Sequence, residues 1–363
     1  MHGMNLSIVS CCLLLLGWKQ CAGATNGDDV SHNSTSNGND QGFGDCECVP
    51  YFKCNGPTRN TGCDDFLSVC CESKTQFQDE IIPKKHDRGC GRRNPNGLGF
   101  SSNGDADHAQ FGEFPWMMAL LGRETTEGNL NESWSYQCGA SLIHRQVVLT
   151  AAHCISGKYM MYKIRAGEWD TRTENEFYPR QERTVKTAIL HPEYSSRSLT
   201  HDFALLILES PVKIQNNIDV VCLPAKEEII DNITCYATGW GRDNFGKEGD
   251  YDVLLKKLEA PILDGTTCES CLRHSRLGSR FKLHESFLCT GGQPDIDICK
   301  ADGGSPLVCP IKGKLNKYYQ AGIISWALNC VGVPGVYANV IKALDWIDKT
   351  MTDNGFETSS YKY

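Results

Sequence analysis

The chain has 363 residues, enough for one large domain and a small one, and carries 36 Lys and Arg against 44 Asp and Glu, a formal net charge of −8. That mild acidity without a basic stripe argues against nucleic acid as a partner, and no run of about 20 apolar residues marks a helical membrane span. Twenty cysteines point instead to an oxidising, extracellular setting.

Residues 1–24 read as a secretory signal. Residues 6–18 are mostly apolar and Ala22-Gly23-Ala24 is a small-residue cleavage site, although no Lys or Arg precedes the apolar run; a buried N-terminal helix is the rival reading. Cys11, Cys12 and Cys21 leave with the signal, and the seventeen cysteines that remain are an odd number, so intramolecular pairing cannot use them all. Residues 25–44 are rich in Asn, Asp, Ser and Gly, cannot bury enough apolar surface to fold, and read as a flexible leader.

Residues 45–72 hold Cys46, Cys48, Cys54, Cys63, Cys70 and Cys71. Such crowding predicts a tiny disulfide-stapled module; zinc is the rival, less suited to a secreted chain. Six cysteines allow 15 pairings, and the sequence alone selects none of them. Residues 73–89 form a charged linker, and Lys84-Lys85, Arg88 and Arg92-Arg93 place tryptic sites around its end. Asn33, Asn131 and Asn232 each open an Asn-x-Ser/Thr glycosylation acceptor.

From Cys90 the composition becomes globular. Residues 146–150, 203–208 and 320–326 are alternating or β-branched runs separated by Gly, Pro and Asn turns, and they predict strands of an all-β domain over residues 90–356. Val340, Ile341, Leu344, Ile347 and Met351 recur at helical spacing and predict one amphipathic C-terminal helix, followed by a tail at 357–363.

Thr150-Ala151-Ala152-His153-Cys154 resembles the catalytic-histidine segment of the chymotrypsin/trypsin serine proteases. His201-Asp202-Phe203-Ala204-Leu205-Leu206 resembles their aspartate segment, and Cys299-Lys300-Ala301-Asp302-Gly303-Gly304-Ser305-Pro306-Leu307-Val308-Cys309 their nucleophile loop, in the family order. Gly112-Glu113-Phe114-Pro115-Trp116, Thr238-Gly239-Trp240-Gly241, Ser325-Trp326 and Pro334-Gly335-Val336-Tyr337 extend the resemblance. It implies two six-stranded antiparallel β-barrels with the site in the cleft between them. It also implies the bridges Cys90–Cys222, Cys138–Cys154, Cys235–Cys309, Cys268–Cys289 and Cys299–Cys330. Cys271 is left over, or displaces its neighbour Cys268.

The resemblance puts Gly303 where the family has its serine, and glycine has no oxygen with which to form an acyl-enzyme. The loop keeps the family's length, so Ser305 falls on the second glycine after the nucleophile and is expected as a hydroxyl bonded to nearby backbone. Ala301 stands at an oxyanion-hole glycine, where its methyl hinders the required backbone turn. Gly99-Phe100-Ser101-Ser102-Asn103-Gly104 lacks the basic residue and apolar start of the family's activation site, so Asp302 is expected without its usual amino-terminal partner. Losing any one triad member costs on the order of 10⁶ in turnover, so no useful peptidase activity is expected. His153 and Asp202 are expected to persist as a hydrogen-bonded pair. Asp297 matches the acidic floor of a trypsin-like specificity pocket that Ala327 narrows. Glu168 sits where some relatives begin a calcium loop, but no convincing second set of carboxylates follows; neither metal nor cofactor is expected.

Cys46-Glu47-Cys48-Val49-Pro50-Tyr51-Phe52 with the terminal Cys70-Cys71 resembles the clip domain of arthropod proteases, which implies the pairs Cys46–Cys70, Cys48–Cys63 and Cys54–Cys71. The whole combination resembles the clip-domain serine protease homologues of arthropod haemolymph. That resemblance implies a secreted, non-catalytic cofactor or regulator of a protease cascade, foremost prophenoloxidase activation (melanisation). Its implied partners are a clip-domain activating protease, prophenoloxidase and further copies of itself. An adhesion or pattern-recognition protein that binds microbial surfaces, and a residual peptidase using Ser305, are the competing readings.

Overall fold

The computed structural model describes residues 47–50, 58–59, 68–71, 89–98, 107–123, 134–155, 161–171, 178–231, 233–241, 254–291, 303–328 and 333–363, the first three stretches as backbone alone. The chain divides into two units, residues 1–84 and 85–363. In the first, β1 (Glu47–Pro50), β2 (Thr58–Arg59) and β3 (Ser68–Cys71) form an antiparallel sheet in the order β1-β3-β2, with Cys48 opposite Cys70. The expected bridges of Cys46, Cys48, Cys54, Cys63, Cys70 and Cys71 concern side chains outside the described residues. The signal, the leader, most of the linker and the acceptors Asn33, Asn131 and Asn232 also lie outside them.

The second unit is the all-β domain the sequence predicts. Its first barrel comprises β4 (Met117–Arg123), β5 (Ser135–His144), β6 (Val147–Thr150), β7 (Met161–Ala166), β8 (Gln181–Leu190) and β9 (Ala204–Leu208), closed in the order β4-β5-β6-β9-β8-β7. Its second comprises β10 (Thr234–Gly239), β11 (Lys256–Leu263), β12 (Phe287–Thr290), β13 (Pro306–Pro310), β14 (Tyr318–Trp326) and β15 (Gly335–Asn339), closed in the order β10-β11-β12-β15-β14-β13. Closure leaves no unpaired edge. β6 and β9 pair with each other and are buried along their whole length, which is why they read as unbroken apolar runs rather than alternating ones.

The expected C-terminal helix is α2 (Leu344–Asp353), entered through a 3₁₀ turn at Val340–Ala343; Val340, Leu344, Ile347 and Met351 are buried. The sequence pattern did not single out another helix, α1 (Gly265–Arg273). Its start is fixed by Asp264, whose carboxylate accepts the backbone N–H groups of Thr266 and Thr267. The side-chain hydroxyls of Thr266 and Thr267, together with those amides, hold that carboxyl well below its ordinary range. Residues 357–363 are part of the packed domain rather than a loose tail. Tyr361 is 1% exposed, donates its hydroxyl to Asp348 at 2.7 Å, and accepts the Leu223 N–H on its carbonyl.

The stretch before the barrels is equally fixed. Cys90 is bonded to Cys222, and the Gly91 N–H donates to the Val220 carbonyl. Arg93 lies beneath the Tyr236 ring, 4.1 Å from its centroid, and donates to Glu113 and to the Tyr318 hydroxyl. Lys257 reaches the other oxygen of the fully buried Glu113 at 3.0 Å. Burial opposes the charge on Arg93, but the hydrogen bonds and the negative Glu113 prevail and raise its pKa above the ordinary value.

Candidate active-site cleft

His153 sits in the 3₁₀ turn Ala152–Cys154 directly after β6, and Asp202 directly precedes β9. Because β6 pairs with β9, the two residues are brought together although 49 positions separate them. His153 Nδ1 lies 2.7 Å from Asp202 Oδ2, and the His153 backbone N–H donates to Oδ1 at 2.9 Å. Ser325, at the end of β14, donates its hydroxyl to Oδ2 at 2.6 Å. Asp202 is therefore fully buried yet accepts three hydrogen bonds, the condition under which a carboxylate is retained inside a protein. The carboxylate also fixes the imidazole so that Nδ1 faces Asp202 and Nε2 faces Gly303. The motif containing Ser325 is visible in the sequence, but its bond to Asp202 is not, since it joins residues from the two barrels.

Gly303 lies against this pair. A Cβ built at Gly303 would stand 2.6 Å from His153 Nε2 and 3.2 Å from Cε1, so the ring occupies space that any side chain at 303 needs. The next residue, Gly304, has φ +81, and a Cβ there would come within 2.4 Å of the Gly139 carbonyl and the Thr150 hydroxyl. The loop thus presses onto β5 and β6, with the Gly139 N–H donating to the Gly303 carbonyl at 2.9 Å.

Ser305 is completely buried. It faces Gly139, where an added Cβ would lie 1.8 Å from Ser305 Oγ. That oxygen has no hydrogen-bond partner among the described residues, against the expectation of a hydroxyl bonded to nearby backbone. It faces the Gly139 backbone, whose own polar groups are already engaged with Gly303 and Thr150. A buried hydroxyl packed against a glycine cannot attack a substrate.

The matching family model is trypsin, over residues 104–347. Over 298 residues the chain is 47% identical to phenoloxidase-activating factor 2 of Galleria mellonella, covering 79% of this chain and 98% of the relative. It is 37% identical to the inactive CLIP domain-containing serine protease A8 of Anopheles gambiae, covering 80% of this chain and 79% of the relative. A second Anopheles gambiae protein, the inactive CLIP domain-containing serine protease A28, is 35% identical over 82% of the chain and 80% of its own length.

This chain belongs to the clip-domain serine protease homologues. Both Anopheles gambiae relatives are named inactive.

In this homologue the barrels are stapled by Cys90–Cys222, Cys138–Cys154, Cys235–Cys309 and Cys268–Cys289. The bridge to Cys289 uses Cys268, and Cys271 is half-buried on the same helix. The expected Cys299–Cys330 bridge, Asp297, Ala301 and Asp302 all lie outside the described residues, as do residues 99–106 where the family is activated. Ala327, expected to narrow the pocket, is exposed at the end of β14.

Glu168 is buried, and the partners it shows are cations: Arg165 at 2.8 Å and Arg180 at 3.2 Å, both on the same oxygen. A calcium ion needs 6–8 oxygen ligands, and one oxygen of this carboxylate is already shared by two guanidinium groups.

Sequence inspection missed a histidine cluster next to Asp202. His191, at the start of the loop after β8, stacks on His201 with centroids 4.9 Å apart and planes inclined by 17°. Trp346 of α2 lies 4.9 Å from His191, and His284 lies 5.3 Å from His201. Burial, then the neighbouring His201, lowers the His191 pKa. Ligand atoms of His191, Glu193 and His201 fall within 4.8 Å of one another. However, imidazole lone pairs lie in the ring planes, and two nearly parallel stacked rings do not aim them at one point.

Proposed function

We propose that this homologue acts as a secreted, non-catalytic cofactor or regulator in the haemolymph protease cascade that activates prophenoloxidase. The observation that carries the reading is Gly303 beside the intact His153–Asp202 pair. Gly303 takes the place of the nucleophilic serine, so the cleft retains its walls and its buried carboxylate but has no group that forms an acyl-enzyme. Well-formed barrels without a nucleophile suit binding. The names of similar proteins, phenoloxidase-activating factors among them, supply the direction. The partners are a clip-domain activating protease that processes the homologue and prophenoloxidase itself, with self-association as a further contact.

Processing falls in the linker. Arg93 is 9% exposed and locked onto Glu113, so no protease reaches it without unfolding the segment. Arg92 is exposed but bridged to Lys317 within the packed segment, which leaves Lys84, Lys85 and Arg88, all before Cys90, and a cut there leaves the barrel domain whole. N-terminal sequencing of the processed protein is expected to give a start between residues 85 and 89, as those positions dictate.

The deciding experiment is reconstitution. Prophenoloxidase, its activating protease and the cleaved homologue are mixed, and phenoloxidase activity is compared with the mixture lacking the homologue. A clear rise or fall supports the reading. Unchanged activity, together with binding to bacteria or β-glucan, replaces it with an adhesion or pattern-recognition role.

A further inference from the structure

The acidic average of the chain hides a local exception. From Leu272 to His284, between α1 and β12, there is no Asp or Glu, while Arg273, Arg276, Arg280 and Lys282 fall in the same stretch. The flanking acids are already engaged. Glu269 pairs with Arg273 at 2.5 Å and accepts the Leu283 N–H, and Glu285 pairs with Lys342 at 2.8 Å. Arg276, Arg280 and Lys282 are all exposed, and none has an acidic partner among the described residues.

The backbone that carries them is held from beneath. Arg273 Nε donates to the Phe281 carbonyl at 2.7 Å, and the Phe281 N–H closes a turn onto Gly278 at 3.0 Å. Phe281 packs edge-on against Trp326, Leu272 is fully buried, and Cys268 is bonded to Cys289. Four positions separate Arg276 from Arg280, so their Cα atoms lie within about 14 Å of each other, and Lys282 follows two residues later. Three cations are therefore crowded on a fixed support, where binding costs little ordering of the chain.

We propose that this ridge docks a linear sulfated polysaccharide. Exposed cations along a turn suit a polymer laid across them better than a single enclosed ion. Guanidinium groups match sulfate oxygens with paired hydrogen bonds. The net charge of −8 disfavours a polyanion on average, so binding depends on a local cluster of cations such as this one. A single-stranded nucleic acid would need exposed aromatic platforms, whereas Phe281 is packed onto Trp326. An anionic bilayer calls for roughly four to eight clustered cations, more than the three available here.

The test is heparin chromatography of the full chain at pH 7.5 beside a plain sulfopropyl exchanger. The ridge predicts retention on heparin at low salt and none on the exchanger. R276A/R280A/K282A should lose that retention, with the slope of log affinity against log salt falling by about two to three. K312A/K314A, which removes two exposed lysines from another turn, should elute with the native protein. Because the substituted side chains are exposed, the triple variant should keep its circular dichroism and melting temperature. R276K/R280K, which keeps the charges but loses the paired guanidinium hydrogen bonds, guards against a folding artefact by eluting between the native protein and the triple variant. Flow-through of the native protein, co-elution of the triple variant with it, or equal retention on both resins overturns the proposal. Binding to phosphatidylserine vesicles that heparin does not displace also overturns it.

Discussion

The two sides of the cleft have been treated differently. On one side, His153, Asp202 and Ser325 keep a hydrogen-bonded arrangement with distances of 2.6 to 2.9 Å. On the other, the nucleophile loop presents Gly303, Gly304 and the buried Ser305. The difference follows from what each residue supports. Asp202 is wholly buried and satisfies three donors, so removing it strands a backbone N–H, an imidazole N–H and a hydroxyl. Gly303 has no side chain and supports none of this, so the two halves of the cleft carry unequal structural weight.

Substitutions that break or sharpen this contrast can be ranked by expected effect. The largest is Asp202→Ala, which should lower the unfolding free energy by about 3 kcal/mol through its stranded donors. Urea denaturation of the full chain measures it, and a loss below about 1 kcal/mol would mean that the pair is dispensable. Next is Gly304→Ala. Its φ of +81 and the 2.4 Å approach to Gly139 and Thr150 should cost about 2 kcal/mol. Here the tight loop, rather than any catalytic group, is the structural asset.

Ser305→Ala should move the other way. It removes a buried hydroxyl without a partner among the described residues and should stabilise by about 1 kcal/mol. A destabilised variant would show that the hydroxyl is satisfied.

A smaller effect is set by pH. The His191 pKa is lowered by burial, so below about pH 6.5 the unfolded chain binds the proton more readily than the folded one. Stability should accordingly fall as pH drops from 7 to 5, and His191→Gln should flatten that fall in a series of thermal melts. A steeper fall in the variant contradicts the assignment.

The smallest expected change is none at all. Gly303→Ser restores a hydroxyl, but its Cβ would meet His153 Nε2 at 2.6 Å. Hydrolysis of Arg and Lys amide substrates should stay at background. Measurable turnover would mean that the second half of the site needs only one side chain to be rebuilt.

Much of this was legible in the chain because it is local. Thr150-Ala151-Ala152-His153-Cys154 and the aspartate segment carry their identity in five or six consecutive residues. The runs that became β6 and β9 show burial directly, since both faces of each strand are covered. α1 was harder to see. It is a short helix whose start depends on Asp264 and two threonines, and its apolar contacts, Cys268 and Leu272, are few.

By itself the sequence determined an all-β domain after Cys90 and a glycine at 303, while its resemblance to the trypsin family implied the two barrels and the four bridges that the structure contains. Only the tertiary structure decided that Ser305 points into the Gly139 backbone and that His153 fills the room beside Gly303. It also decided that His191 stacks on His201 with His284 edge-on to it, and that Arg93 is caged by aromatic rings. Each of these joins positions far apart in the chain. Their approach is set by how closed barrels pack at near-crystalline density, and no pattern of neighbouring residues encodes a distance of that kind.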